Sequence, residues 1–90
     1  MRFEYDPDKS DANYDKHEID FEEAQELWED PGLVEYGLEY GGERRFAIVA
    51  KLADGYWTAI CTMRRKRVRI ISVRRATRKE VSLYDKTNDD

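Results

Sequence analysis

The residues best suited to chemistry are concentrated in the last third of the chain. Between Arg64 and Lys79 there are nine Lys or Arg residues and no Asp or Glu. Guanidinium and ammonium groups bind phosphates and carboxylates, and a guanidinium can do so through two parallel hydrogen bonds. We therefore expect a polyanion or an acidic protein surface as the partner of this segment. The cations are Arg64, Arg65, Lys66, Arg67, Arg69, Arg74, Arg75, Arg78 and Lys79.

His17 is the only histidine and follows Lys16 directly. Histidine side chains exchange protons near neutral pH, so His17 is a candidate general acid or base. It could instead be a helix-end residue whose ring hydrogen-bonds the backbone, and the sequence leaves both readings open.

The sequence predicts no metal site and no cofactor. The single cysteine, Cys61, lies in an apolar strand pattern and is expected to be a packed core thiol. One histidine and one cysteine far apart in sequence do not form a zinc pattern. Gly41-Gly42 is not followed by a helix and therefore predicts a hairpin turn, not a phosphate-binding loop.

Charge is divided unevenly along the chain. The net charge is −4, but residues 1–42 hold 14 acids and 3 bases, whereas residues 43–90 hold 6 acids and 13 bases. This division predicts an acidic helical surface and a basic sheet surface, and only the basic one suits a nucleic acid. The alternative is that the acidic helices neutralise the basic strand internally.

Ninety residues are enough for one small core, and we expect a single domain over residues 1–90. Alternation of apolar and polar residues predicts strands, and helical spacing with capping residues predicts helices. The predicted elements are a strand over 2–5, helices over 8–16 and from 20 to about 30, strands over 33–40, 45–52, 56–63 and 68–74, and a helix over 78–86.

Three capping patterns support the helices. Asp6 precedes Pro7, which is tolerated in the first turn of a helix. Asp20 with Glu23, and Thr77 with Glu80, each have the spacing of a capping box.

These elements predict an α+β fold with a short N-terminal strand, two helices, a four-stranded antiparallel meander and a C-terminal helix. We expect the helices on one face of the sheet, which leaves the other face partly open for binding. No segment has the apolar length of a membrane span or a signal peptide, so a cytoplasmic location is expected.

Strand alternation separates the arginines of the last strand. Arg69 should share a face with Ile71 and Arg75, and Arg74 should lie on the opposite face. Arg69 and Arg74 therefore cannot serve one site unless a β-bulge shifts the alternation.

Two segments near the chain ends carry a recognisable pattern. Residues 3–31 contain an aromatic, Asp-Pro, Lys, Asn, Lys-His, Phe-Glu-Glu-Ala and Asp-Pro in order, and residues 67–84 read RVRIISVRRATRKEVSLY. The pattern is similar to that of BrnT-type toxins. The matching residues are Asp6, Pro7, Lys9, Asn13, Lys16, His17, Phe21, Glu22, Glu23, Ala24, Asp30, Pro31, Arg69, Ile70, Ile71, Ser72, Arg74, Ala76, Thr77, Glu80 and Tyr84.

The resemblance implies a ribonuclease toxin of a type II toxin–antitoxin pair with a RelE-like fold. It implies an RNA substrate, no membrane contact, and neutralisation in a hetero-oligomer by a small BrnA-like antitoxin. The antitoxin would carry the DNA-binding segment, so this chain would reach operator DNA only through it.

The chain departs from the family pattern at two turns. Glu18 stands where the family usually has Gly, so a left-handed conformation after His17 would be strained. Met63 and Arg65-Lys66 replace what is often an acidic residue followed by Gly, which removes one candidate general base.

RNA cleavage without a metal needs a base for the 2′-hydroxyl, cations for the charge on the phosphate and an acid for the departing 5′-oxygen. The catalytic candidates are His17, Lys16, Arg64, Arg69 and Arg74. The RNA-binding candidates are Arg65, Lys66, Arg67, Arg75 and Arg78.

Other functions stay open at this point. The chain could be a weak or inactive enzyme that binds an antitoxin or RNA through the same basic surface. The arginines could also serve only to protect a sheet edge from aggregation. A DNA-binding repressor is disfavoured because the basic residues lie on strands and a turn, while the helices are acidic.

Overall fold

The computed structural model describes residues 1–89, with the side chain of Tyr40 left undescribed. The chain folds in the predicted α+β class. Its elements are β1 (Phe3–Glu4), α1 (Pro7–His17), a 3₁₀ helix (Glu23–Glu29), β2 (Val34–Tyr40), β3 (Glu43–Leu52), β4 (Gly55–Arg64), β5 (Arg67–Arg75) and α2 (Arg78–Asn88).

The sheet has five strands in the order β1-β5-β4-β3-β2. The meander β2 to β5 is antiparallel as predicted. The prediction of a four-stranded sheet is nevertheless wrong, because β1 joins the sheet parallel to β5, with Phe3 opposite Val68 and Glu4 opposite Arg69. A two-residue strand carries too little pattern to reveal its partner.

Helices pack on both faces of the sheet, not on one as predicted. The larger apolar cluster contains Phe21 and Leu27 on one face, packed against sheet residues such as Ile48, Ala59 and Ile70. On the opposite face, Tyr84 of α2 packs against Val34 and Val49. The predicted open face is therefore partly covered by α2.

The capping predictions are confirmed at both α-helices. The Asp6 carboxylate accepts a hydrogen bond from the Asp8 N–H, and Thr77 and Glu80 form a reciprocal capping box. Glu18 follows α1 as its C-cap residue, and its φ of 62° is the left-handed conformation expected to be strained. The second helix is shorter than predicted and has 3₁₀ geometry, although Asp20 does accept a bond from the Glu23 N–H at 2.8 Å.

α1 is fixed to the free edge of β5 by the buried Asn13. Its amide donates to the carbonyls of Val73 at 2.9 Å and Ile19 at 2.8 Å, and it accepts from the Val73 N–H at 3.2 Å. Asn13 thus satisfies the edge backbone groups that a further strand would otherwise pair. This contact determines where the C-terminal end of α1 lies.

The pairing of β5 with β4 contains a β-bulge. A bulge is the condition under which the sequence allowed Arg69 and Arg74 to lie on the same face of the sheet. Ile60 pairs with Ser72, but Cys61 pairs with Ile70, so Ile71 is an extra residue in β5. The side-chain alternation is thereby displaced by one position. Arg69 and Arg74 consequently lie on the same face as α2, and Arg75 lies on the face of α1.

Candidate functional site

The C-terminal end of α1 and the adjoining ends of β4 and β5 enclose a pocket of about 490 Å³, which we call the His17 pocket. It contains three groups that can act on a phosphate: an imidazole, an ammonium and a guanidinium. Its lining residues are Lys16, His17, Glu18, Trp57 and Arg75.

Arg75 is held in this pocket by an aromatic ring and a glycine. Its guanidinium lies over the Trp57 ring, 4.3 Å from the ring centroid, and Trp57 is itself only 8% exposed. A Cβ at Gly55 would collide with the guanidinium and come within 3.1 Å of the indole nitrogen of Trp57. Gly55 therefore leaves the space that Arg75 occupies.

His17 is half-buried at the last residue of α1, and Lys16 beside it is exposed. Within residues 1–89 the His17 ring makes no hydrogen bond, so the alternative of a ring bonded to the backbone is not observed. The imidazole is therefore accessible to a ligand in the pocket.

Arg74 lies outside the His17 pocket, in a buried polar network around Glu80. The Glu80 carboxylate accepts two bonds from Arg74, at 2.7 and 3.0 Å, and one each from Tyr36 and Thr58, at 2.8 and 2.9 Å. It also accepts from the N–H of Thr77 at 2.8 Å. Arg74 therefore joins α2 to the sheet.

The pKa values of this network reflect its charge pairing. Burial alone would raise the pKa of the Glu80 carboxyl, but the bonds from Arg74, Thr77, Tyr36 and Thr58 hold that pKa far below its ordinary value. The bond to Glu80 raises the pKa of Arg74. Burial and the Glu80 carboxylate raise the pKa of Tyr36 to about 12.

Arg64 and Arg69 lie near Glu4 at the other end of β5. Arg69 contacts the Glu4 carboxylate at 2.9 Å and Arg64 reaches it at 3.8 Å. Arg65 and Lys66 in the β4–β5 turn and Arg67 at the start of β5 are exposed. They form no ion pair within the part of the chain that the structure describes.

The structure thus divides the predicted site residues. His17, Lys16 and Arg75 share the His17 pocket. Arg64 to Arg69 lie at the far ends of β4 and β5, roughly 20 to 25 Å away at about 3.3 Å per strand residue. Arg78 is exposed at the start of α2. Among residues 1–89 no carboxylate of α1 or the 3₁₀ helix pairs with these arginines, so the proposed internal neutralisation by acidic helices is not observed.

Trp57 and Gly55 are site residues that the sequence did not reveal. In sequence, Trp57 is indistinguishable from other apolar residues of a strand, and Gly55 falls between the strands predicted over 45–52 and 56–63. Cys61 is a core thiol as predicted, since it is fully buried and burial raises its pKa to about 12.

The sequence was compared with models of protein families. The model of the family described as the ribonuclease toxin BrnT of type II toxin–antitoxin systems matches residues 5–80. The chain belongs to this family. A search of curated proteins gave no match.

As a BrnT-family protein, the chain is a ribonuclease toxin of a type II system, and such a system includes an antitoxin partner. The matched region includes every residue of the His17 pocket.

Within residues 1–89 no cluster of three metal-binding side chains occurs. No helix in the same residues has the length and apolar character needed to cross a membrane.

Proposed function

We propose that the chain is a metal-independent endoribonuclease that cleaves RNA in the His17 pocket and thereby inhibits translation in the cytoplasm. The observation that carries this proposal is the meeting of His17, Lys16 and Arg75 in one pocket. We further propose that residues 1–90 act as one domain of RelE-like arrangement, and that a BrnA-type, DNA-binding antitoxin neutralises it in a hetero-oligomer.

Each step of the reaction has a candidate group. His17 takes the proton of the 2′-hydroxyl as the 2′-oxygen bonds to phosphorus. Arg75 balances the negative charge that develops on the phosphate oxygens. Lys16 donates a proton to the 5′-oxygen as its bond to phosphorus breaks. The products are a 2′,3′-cyclic phosphate and a 5′-hydroxyl.

In this scheme Arg74 has no catalytic part, because both of its nitrogens that contact Glu80 are committed to the network under α2. Arg64 and Arg69 are too distant to reach a phosphate beside His17. These two arginines lie on the surface near Glu4 instead.

The test is cleavage of end-labelled RNA by the purified chain in the presence of EDTA. We expect His17→Ala and Lys16→Ala each to slow cleavage by at least about a hundredfold, the usual range for loss of a proton-transfer group. Lys79→Ala is the matched control, since Lys79 is an exposed cation at the start of α2 and does not line the pocket. Intact RNA with folded wild-type protein, or full cleavage by His17→Ala, would contradict the proposal.

A second candidate function is RNA binding without cleavage. It is favoured by Glu18, which lines the pocket and whose negative charge opposes the charge that develops on the phosphate during cleavage. Under this alternative the wild-type chain retards RNA in a gel without shortening it, and His17→Ala does the same.

A further inference from the structure

Part of the sheet face that carries α2 is not covered by that helix. Strand pairing places Ile60 beside Ser72, Thr62 beside Arg69, and Arg64 beside Arg67 on this part. Leu38 lies on the same face, opposite Arg45. We call this surface the open face and define it by Leu38, Ile60, Thr62, Arg64, Arg67 and Arg69.

The open face combines an apolar centre with a cationic border. Leu38 and Ile60 are half-buried, and each keeps part of its side chain accessible. Arg64 and Arg67 are exposed at one end, and Arg69 is half-buried between them and the centre. A phosphodiester backbone could pair with the cations of the border but would leave the apolar centre without contacts. A protein segment with acidic and apolar residues can contact both parts of the face.

Two arginines on or beside the open face already bind carboxylates. Arg69 holds the Glu4 carboxylate at 2.9 Å, and Arg74 at the far boundary holds Glu80 at 2.7 Å. Arg67, with Arg65 and Lys66 in the adjoining turn, forms no ion pair within residues 1–89. The face therefore repeats a carboxylate-binding pattern with cations still available.

We propose that the open face is the docking surface for an acidic segment of the antitoxin that also carries apolar side chains. The acidic residues pair with Arg67 and with the exposed Arg64, whose contact with Glu4 is long at 3.8 Å. The apolar ones cover Ile60 and Leu38. This inference rests on the proposed neutralisation by an antitoxin but not on the cleavage chemistry. Because Arg75 and the His17 pocket lie on the opposite side of the sheet, docking here leaves that pocket uncovered.

The test is the affinity of the purified chain for the product of the neighbouring antitoxin reading frame, measured by titration calorimetry. Arg64→Glu/Arg67→Glu should weaken the complex by at least about a hundredfold, since like charges placed across an interface cost several kcal/mol. The control is Arg78→Glu/Lys79→Glu, which makes the same charge change at the start of α2 and should alter the affinity less than about threefold. Ile60→Thr should weaken binding by about tenfold through the apolar centre.

The outcomes separate this inference from the proposed function. A wild-type chain that forms no complex contradicts the proposed neutralisation itself. A wild-type complex that Arg64→Glu/Arg67→Glu leaves unchanged, with both proteins shown folded by circular dichroism, overturns the docking surface alone. A double variant that loses binding of single-stranded RNA yet keeps the antitoxin would assign the open face to RNA instead.

Discussion

At the scale of single residues, the position of one guanidinium depends on the absence of one methyl group. Arg75 is stacked on Trp57, and a side chain at Gly55 would occupy the same space as its guanidinium. In the proposed reaction Arg75 therefore reaches the phosphate from this stacked position. Because the displaced group would be the end of a flexible side chain, the fold can adjust while the pocket changes.

Gly55→Ala should therefore reduce RNA cleavage more than stability. Misplacing a catalytic cation by about 1 Å can cost as much as a hundredfold in rate, and we expect a loss of roughly tenfold or more. The measurement is the single-turnover cleavage rate together with the melting temperature. Gly37→Ala is the matched control, since a Cβ at Gly37 meets nothing within 4 Å. Equal rates for the two variants would show that Arg75 does not need this space.

The same scale shows why the sequence indicated some residues of the candidate site and not others. His17 and Lys16 were recognisable because their chemistry is evident from residue type. The exclusion of Arg74 was not predictable, because its pairing with Glu80 depends on α2 packing against β4 and β5. Arg69 and Arg74 lie on one face only because the register shifts at Ile71. No local sequence pattern predicts this shift.

At the scale of elements, capping residues and turn residues made the boundaries of both α-helices and the four long strands predictable. The pairing of β1 and the side on which α2 packs were not, because both depend on contacts between distant segments. α2 is attached to the sheet mainly through the Glu80 network and through Tyr84, whose hydroxyl donates to Asp30 at 2.8 Å. This attachment carries a pH dependence.

Acidification should release α2 from the sheet. The pKa of Glu80 is lower in the folded chain than its unfolded value of about 4.3. Its contribution to stability is therefore complete above that unfolded value and is lost as the pH falls towards the folded value. Asp30 acts in the same direction, because burial is outweighed by bonds from the Lys51 and Gly32 N–H groups, which lower its pKa.

Glu80→Gln should destabilise the fold at pH 7 by about 3 kcal/mol, because Arg74 is left without its partner charge. Its unfolding free energy should also change less than that of the wild type between pH 6 and about 3. Urea titrations across this range measure both effects. Glu43→Gln removes an exposed ion pair with Arg45 and should cost less than about 0.5 kcal/mol. A parallel pH dependence in wild type and Glu80→Gln would place the acid sensitivity elsewhere.

The β4–β5 turn shows strain where the partner is proposed to bind. Arg65 and Lys66 have φ values of 52° and 67°, which glycine and asparagine tolerate better. Arg65→Asn/Lys66→Gly should stabilise the fold by about 1 kcal/mol and slow association with the antitoxin. Ala53→Gly relieves a φ of 57° in another turn without changing charge, so it should stabilise without affecting association. Stopped-flow association rates and melting temperatures give the two readouts, and an unchanged rate for the double variant would exclude the turn from the encounter.

At the scale of the whole molecule, the sheet separates two surfaces of different chemistry. The His17 pocket lies on the side of α1, and the open face lies on the side of α2. Within residues 1–89 no carboxylate of α1 or the 3₁₀ helix pairs with the arginines of either surface, and the ion pairs of the basic strand come from Glu4 of β1 and Glu80 of α2. Cleavage and neutralisation should therefore be separable by mutation.

A His17→Ala chain should act as a decoy for the antitoxin. It loses the proton-transfer group but keeps Arg64, Arg67 and Ile60, so it should bind the antitoxin with unchanged affinity. When it is expressed in excess beside the wild-type chain and a limiting amount of antitoxin, it should release the wild-type toxin and slow growth. The same decoy carrying Arg64→Glu/Arg67→Glu should not. If growth is equally slow with both decoys at equal protein levels, the antitoxin binds outside the open face. If neither decoy affects growth, the His17 pocket is itself part of the antitoxin interface.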